Sequence, residues 1–155
     1  MRQAKQHNAK VLKLYITKDD ANKSRITPSH IKLDANGVEG DKFYAKDNNR
    51  AILISSIESY RLSQENGIEI KEGALGENIL IDINPYHLLP GDKILIGNVE
   101  LEITQNCTLC KGLSALNPKL PKLLKDDRGI FAKISDNKQY TIKVGDSASL
   151  IKATE

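Results

Sequence analysis

The residues best suited to chemistry in this chain are two cysteines, Cys107 and Cys110, with Lys111 directly after them. A thiolate is the reactive form of cysteine, and it serves as a nucleophile, a redox partner or a ligand for soft metals. The adjacent ammonium group of Lys111 favours the thiolate, and Gly112 allows the backbone to approach a ligand closely. The stretch therefore predicts a reactive cysteine site.

The possible roles of the cysteine pair differ in what else they require. A closed zinc site needs four ligands, whereas the chain has no further cysteine and its three histidines share no ligand spacing. A thioredoxin-like pair opens a helix in a parallel βαβ unit, and the sequence pattern predicts no such unit. A metal-free thiol-redox pair in another setting, and simple packing of two small semi-apolar side chains, stay open.

A second group suited to ligand binding lies upstream, in "GVEGDKFYAKDNNRAILIS". Glycine amides can form an anion-binding nest, and lysine and arginine add positive charge. The group predicts a phosphate or carboxylate site, although a glycine-rich turn with solvated charges explains the stretch equally well. A third element, Gly76-Glu77-Asn78, precedes an apolar run and on its own is explained by a simple turn. The members of the second group are Gly37, Gly40, Asp41, Lys42 and Arg50.

The elements that must position these residues are mostly short strands. Alternating or compact apolar runs with turn signals between them predict a mostly-β fold, and the Gly97-Asn98 step between two runs predicts a hairpin. A closed or nearly closed barrel would hold so many short strands without exposed edges. The predicted strands lie at 9–17, 50–56, 77–83, 92–104, 128–135, 139–144 and 148–152.

One convincing helix follows the second predicted strand. Ser55 and Glu58 have capping-box spacing, and Gly67 stands where a C-terminal glycine cap is expected. After the cysteines, residues 113–127 contain two prolines and predict at most a broken helical connection.

Composition limits the class of protein. With 155 residues and 39% hydrophobic side chains, the chain suits a single domain over residues 1–155. No run of about 18 apolar residues occurs and the N-terminus is polar and basic, so we expect no membrane span, no secretory signal and a cytoplasmic location. The net charge of +3 is spread without a long basic block, which argues against a nucleic-acid partner.

Taken in chain order, these elements resemble the MOSC family, the domain named after the C-terminus of molybdenum-cofactor sulfurases. The resemblance covers about residues 35–151. It implies a closed or partly open β-barrel-like domain with one clear α-helix and short helical connections. The matching pieces are "GVEGD", an arginine before an apolar strand, a helix, "GALGENILI", "PGDKILIG", "LEITQ" running into a cysteine, "RGIFAKI" and "IKVGDSASLI".

The resemblance also implies a cysteine thiolate that ligates molybdenum or carries sulfur as a persulfide, with molybdenum cofactor (Mo-molybdopterin) as the bound group. Counting from Thr104 places the family's cysteine at Cys110, the implied metal ligand, and leaves Cys107 as a second catalytic candidate, a resolving thiol or alternative ligand. The family's Gly-Asp-Arg-His is Gly-Asp-Lys-Phe at 40–43 here. The implied cofactor-binding residues are Gly40, Asp41, Lys42, Arg50, Glu77, Asn78, Gln105, Lys111 and Arg128.

Three functions fit the resemblance and the cysteine pair. The leading one is a cofactor-binding or sulfur-carrying protein whose partners are a cysteine desulfurase and a molybdoenzyme. The second is a molybdoenzyme that reduces N-hydroxylated compounds with electrons from a separate partner, because the chain shows no flavin, haem or iron–sulfur motif. The third is a metal-free thiol-redox protein. The short chain and the missing electron-transfer motif favour the first.

Overall fold

The structure is a computed structural model that describes residues 5–22, 24–108 and 111–153. Within these ranges the chain forms twelve strands, three α-helices and one 3-10 helix. The strands are β1 (Lys5–Leu14), β2 (Ile16–Thr17), β3 (Arg25–Ile26), β4 (His30–Asp34), β5 (Gly37–Val38), β6 (Ile52–Ser56), β7 (Ile79–Ile81), β8 (Lys93–Ile96), β9 (Val99–Asn106), β10 (Ile130–Lys133), β11 (Tyr140–Lys143) and β12 (Ser147–Ile151). The helices are α1 (Ile57–Glu65), α2 (Lys111–Leu116) and α3 (Leu120–Leu123), and the 3-10 helix spans Asn48–Arg50.

Seven of the described strands close into a barrel in the order β1-β12-β8-β9-β10-β6-β7. Its neighbours pair antiparallel except β6 and β7, which run parallel and are joined through α1. Parallel neighbours need a crossover connection of this kind, and β6, α1 and β7 form a parallel βαβ unit. The expectation of no such unit was therefore wrong. Both cysteines follow this unit in the sequence. Closure leaves the barrel without an edge strand. The predicted mostly-β barrel with one clear helix is confirmed.

The core fills the barrel because its strands alternate between inward and outward side chains. In β9, Val99, Leu101 and Ile103 are buried, whereas Glu100 and Glu102 between them reach toward solvent. Aliphatic side chains from the other barrel strands meet them in one continuous cluster. Burial of this apolar surface is the main force that holds the barrel closed, and it fixes the strand ends on which a site is built.

Two small sheets lie outside the barrel in the order β11-β4-β5 and β2-β3. The strand pattern did not predict β4, and pairing with β4 places β11 in this sheet and outside the barrel. No helix in the described ranges is long and apolar enough to span a membrane.

The turn, cap and proline signals in the sequence predicted a hairpin, a helix start and a broken helical connection, and two of these three predictions are confirmed. The hairpin is confirmed, because Ile96 pairs with Val99 across the Gly97-Asn98 turn. The start of α1 was predicted one residue too early: Ser56 is the N-cap, and its hydroxyl accepts from the amide of Glu58. Ser55 belongs to β6, where its hydroxyl donates to the Arg128 carbonyl at 3.1 Å. The broken helical connection at 113–127 is confirmed as α2 and α3.

Candidate functional site

A cavity of about 380 Å³ lies where the 3-10 helix, β6, the residues before β7 and the adjoining ends of β9 and β10 meet. Four of the residues predicted for the site line it together, namely Arg50, Asn78, Cys107 and Arg128. Apolar side chains form most of its remaining walls. The full lining is Phe43, Lys46, Asp47, Arg50, Ala51, Leu53, Leu75, Gly76, Asn78, Cys107, Arg128 and Phe131.

Cys107 lies immediately after β9, and the pairing of β9 with β10 sets its position. Its backbone amide donates to the Gly129 carbonyl at 3.0 Å, which continues the ladder beyond the Asn106 pair. The side chain is 4% exposed and packs against Leu53 and Phe131 as a free cysteine. A Cβ on Gly129 would lie 2.9 Å from the Leu53 side chain, so the close approach of these strands requires glycine there.

Arg128 stands one residue before this glycine, and its guanidinium is incompletely bonded. The Nε and Nη1 atoms are buried and have no hydrogen-bond acceptor among the described residues. A buried donor without an acceptor is costly, and a cationic donor more so, because arginine cannot lose its proton in a protein. Arg128 also lines the cavity, so an anion bound there would lie beside its positive charge.

Arg50 reaches the same cavity from the end of the 3-10 helix. Asp47 caps that helix by accepting from the Asn49 amide at 3.0 Å, and the Thr104 hydroxyl of β9 donates to the Asn49 carbonyl at 2.5 Å. These bonds fix the helix against the barrel. The guanidinium carbon of Arg50 lies 5.7 Å from the centre of the Phe131 ring, so this ring contacts both Arg50 and Cys107.

Asn78 borders the cavity, yet its side chain is bonded within the chain. Its Oδ1 accepts from the Leu53 amide at 3.0 Å, and its Nδ2 donates to the Tyr15 carbonyl at 3.3 Å and to Asp41 Oδ1 at 3.2 Å. Asp41, itself buried, also accepts from the Thr17 amide at 2.8 Å. The Asn78 side chain therefore ties β6 and the Asp41 turn together beside the cavity.

The turn that carries Gly40, Asp41 and Lys42 lies next to the cavity without lining it. Its amides bond internally: Asp41 to the Val38 carbonyl and Lys42 to the Thr17 carbonyl. The next residue, Phe43, does line the cavity and is 50% exposed. The Lys42 ammonium lies 4.8 Å from the centre of the Phe43 ring. The turn thus presents an aromatic ring and a cation at the cavity rim.

Glu77 is buried and does not line the cavity; it lies in a group with Tyr15, Arg25 and Tyr60 that we call the Glu77 cluster. The Tyr60 hydroxyl donates to Glu77 Oε2 at 2.6 Å, and it accepts from the Gly73 amide at 2.9 Å. Burial raises the pKa of the Glu77 carboxyl, against the Tyr60 hydrogen bond and the Arg25 charge, which lower it. The Tyr60 hydroxyl thus links Glu77 to the loop before β7.

The remaining predicted residues lie elsewhere. Gln105 is exposed on β9, and Lys111 begins α2. Cys110, the predicted metal ligand, falls outside the described residues. Within the described part of the chain, no group of three or more His, Cys, Asp or Glu side chains is placed to hold a metal ion.

Sequence reasoning missed the cavity walls. Leu53 and Phe131 are direct partners across β6 and β10 and form the apolar side of the cavity. Both lie in continuous apolar runs, which predict buried strands but not which strands pair. Phe43 was noted only as the residue in place of the family's histidine.

A sequence model of the MOSC domain matches residues 40–149. The chain belongs to the MOSC family. This match spans the Asp41 turn, both arginines of the cavity and Cys107. The family is associated with molybdenum cofactor binding.

Solved structures place this MOSC chain among small proteins of the same fold. The YuaD protein from Bacillus subtilis has a TM-score of 0.81 at 19% identity, with 98% of this chain and 100% of that chain covered. YiiM from Geobacillus stearothermophilus has a TM-score of 0.67 at 17% identity, covering 93% of this chain and 75% of that one. YiiM from Escherichia coli has a TM-score of 0.64 at 16% identity, covering 96% and 70%. At these identities the likeness concerns the fold. Among curated proteins no significant match is found.

Proposed function

We propose that this MOSC protein binds molybdenum cofactor, or carries sulfur for it as a persulfide, through a cysteine thiolate at the cavity. The observation that carries the proposal is the shared lining: a free thiol at Cys107 and two guanidinium groups, Arg50 and Arg128, open onto one space. Arg128 also has two buried donors without an acceptor among the described residues, and an anion in the cavity would offset the charge of its guanidinium.

The residues present fit the cofactor chemically. Molybdenum held by a pterin dithiolene is a soft centre, and a cysteine thiolate is the protein ligand that suits it. The phosphate of the pterin suits the forked donors of Arg50 and Arg128. When bound, the cofactor supplies a redox-active metal for atom transfer.

The protein's own part is to hold the group and exclude water. Leu53 and Phe131 keep the Cys107 thiol at 4% exposure, and a low-dielectric wall strengthens every charge interaction formed beside it. Cys110, three residues further on, stays the predicted metal ligand, and Cys107 is the alternative. A molybdenum site needs only one of the two thiolates, so single replacements of Cys107 and Cys110 can be compared for their effect on molybdenum binding.

The first test is anaerobic reconstitution of the full chain with molybdenum cofactor, followed by measurement of bound molybdenum and pterin. We expect near-equimolar binding to the wild type and loss of molybdenum in one cysteine variant, Cys110→Ser or Cys107→Ser. Arg128→Gln should weaken pterin binding by roughly ten- to hundredfold, because it removes charge-assisted hydrogen bonds. Arg61→Gln, which removes an exposed charge on α1, is the matched control. A wild-type protein that takes up neither molybdenum nor pterin would end the cofactor proposal.

A further inference from the structure

Cys107 lines the cavity and is the one nucleophilic side chain in its described lining. It is 4% exposed and packs against Leu53 and Phe131. A sulfur donor small enough to enter the cavity of about 380 Å³ would lie beside this residue.

The charges around the cavity define what kind of small molecule fits. The described lining holds three cations, Lys46, Arg50 and Arg128, and one carboxylate, Asp47. The balance is two positive charges, which complements a dianion. Arg50 and Arg128 each carry a fork of N–H donors, which suits an oxyanion with several oxygens.

We propose that Cys107 accepts sulfur directly from a small dianionic sulfane-sulfur donor, with thiosulfate as the simplest member of the class. This inference rests on the sulfur-carrying form of the proposed function, and it names the donor. The two arginines hold the sulfonate oxygens, and the outer sulfur of the donor faces the thiolate. Thiosulfate:thiol sulfur transfer then becomes an activity of this chain.

The step balances without any outside oxidant or reductant. The Cys107 thiol loses its proton to solvent, and the thiolate attacks the outer sulfur of thiosulfate. A bond forms between Sγ and that sulfur as the sulfur–sulfur bond of thiosulfate breaks, and sulfite leaves with the bonding electron pair. The product is a Cys107 persulfide, from which an acceptor thiolate can later take the outer sulfur.

The arginines assist at both stages of this transfer. They bind the dianion, which brings donor and thiolate into one small space. They also stabilise the charge that builds up on the departing sulfite, and the apolar wall of Leu53 and Phe131 strengthens that effect. Arg128 should matter more than Arg50, because the Arg50 guanidinium already contacts the Phe131 ring.

The test uses full-length Cys110→Ser, in which Cys107 is the single cysteine, treated anaerobically with thiosulfate. We expect a mass gain of one sulfur atom with release of one sulfite per chain, and neither in Cys107→Ser. Arg128→Gln should lower the second-order rate constant by roughly ten- to hundredfold, and Arg128→Lys by less, since it keeps the charge. Arg61→Gln should stay within about twofold of the parent. Sulfate, which has no sulfane sulfur, should slow both sulfite release and alkylation of Cys107.

Several results would overturn the inference. Sulfur transfer to Cys107→Ser, a rate indifferent to Arg128, or no sulfite release would each do so. If Arg128→Gln fails to fold, Arg128→Lys and the sulfate competition decide the question. A protein that takes up molybdenum cofactor but not thiosulfate sulfur keeps the proposed function and loses this donor, so the two failures are distinguishable.

Discussion

Two regions of the molecule contain buried polar atoms without hydrogen-bond partners among the described residues. In the cavity these atoms are Nε and Nη1 of Arg128. In the Glu77 cluster they are Glu77 Oε1 and the Tyr15 hydroxyl oxygen. Glu77 and Asn78 are neighbours in the chain, yet Asn78 borders the cavity and Glu77 does not.

The two regions differ in how the missing partner can be supplied. The Arg128 guanidinium is a donor only, so it needs an acceptor from outside, and it borders a space in which an anion fits. Glu77 lies in packed surroundings, 4.0 Å from Arg25, and can instead take up a proton. The contrast predicts a ligand-dependent site in one region and a proton-dependent structural element in the other.

The largest effect we predict comes from Tyr60→Phe in the Glu77 cluster. The change leaves Glu77 Oε2 and the Gly73 amide without the hydroxyl that bonds both, at 2.6 and 2.9 Å. The free energy of unfolding should fall by about 3 kcal/mol, because two buried groups lose their partner at once. Urea denaturation at neutral pH measures the loss.

Tyr44→Phe is the matched control for that change. It also removes one hydroxyl, which donates to Asp34 at 2.6 Å in a more open setting, so its loss should be much smaller. Equal losses in the two variants would show that the Glu77 cluster is no more sensitive than the surface, and the contrast between the regions would fail.

The next effect has the opposite sign and belongs to the cavity. Arg128→Met replaces an incompletely bonded guanidinium with a flexible apolar side chain, and we expect the free energy of unfolding to rise by about 1 kcal/mol. A site kept for a ligand at the expense of stability should behave in this way. Urea denaturation without added anion measures the change, and Arg61→Met, at an exposed position, should stay within about 0.5 kcal/mol.

Added sulfate provides a second comparison of the free energies of unfolding of the wild type and Arg128→Met. An anion that binds the folded chain stabilises it in proportion to its occupancy, so sulfate should stabilise the wild type more than Arg128→Met. A variant that is less stable than the wild type without anion, or one that responds equally to sulfate, would contradict the assignment of Arg128 to an anion site.

Much of the barrel could be predicted from sequence because its signals are local. The Gly97-Asn98 turn and the cap and glycine of α1 act within a few residues, and they identify a hairpin and a helix directly. Arg50, Asn78 and Arg128 could be predicted as site residues through the resemblance to the MOSC family, and all three line the cavity.

The remaining contacts join residues that are far apart in the sequence, so no local pattern predicts them. The resemblance predicts Glu77 for the cofactor site, but no local pattern predicts its partners Tyr60 and Arg25, which lie 17 and 52 residues away in the chain. The pairing of Leu53 with Phe131 depends on which strands become neighbours on closure. Apolar runs indicate that both strands are buried, and only the barrel order brings them to the same wall.

The smallest effect that we predict at neutral pH comes from the protonation of the Glu77 carboxyl, which distinguishes the Glu77 cluster from the cavity. Burial raises the pKa of Glu77 above its ordinary value of 4.5, so the folded chain holds a proton that the unfolded chain has already lost. Stability should therefore fall as pH rises from about 4.5 through the folded pKa, and then level off. Glu77→Gln removes this dependence while its amide oxygen can still accept from Tyr60.

Within that pH window Glu77 is the group in the cluster that titrates. Burial raises the pKa of Tyr15 to about 12, and it also raises that of Tyr60. The stability difference between Glu77→Gln and the wild type should thus grow from pH 5 to pH 8, measured as free energies of unfolding in urea. Parallel pH curves would mean that the carboxyl keeps its charge in the fold through Arg25, and that both regions hold permanent charges needing a partner.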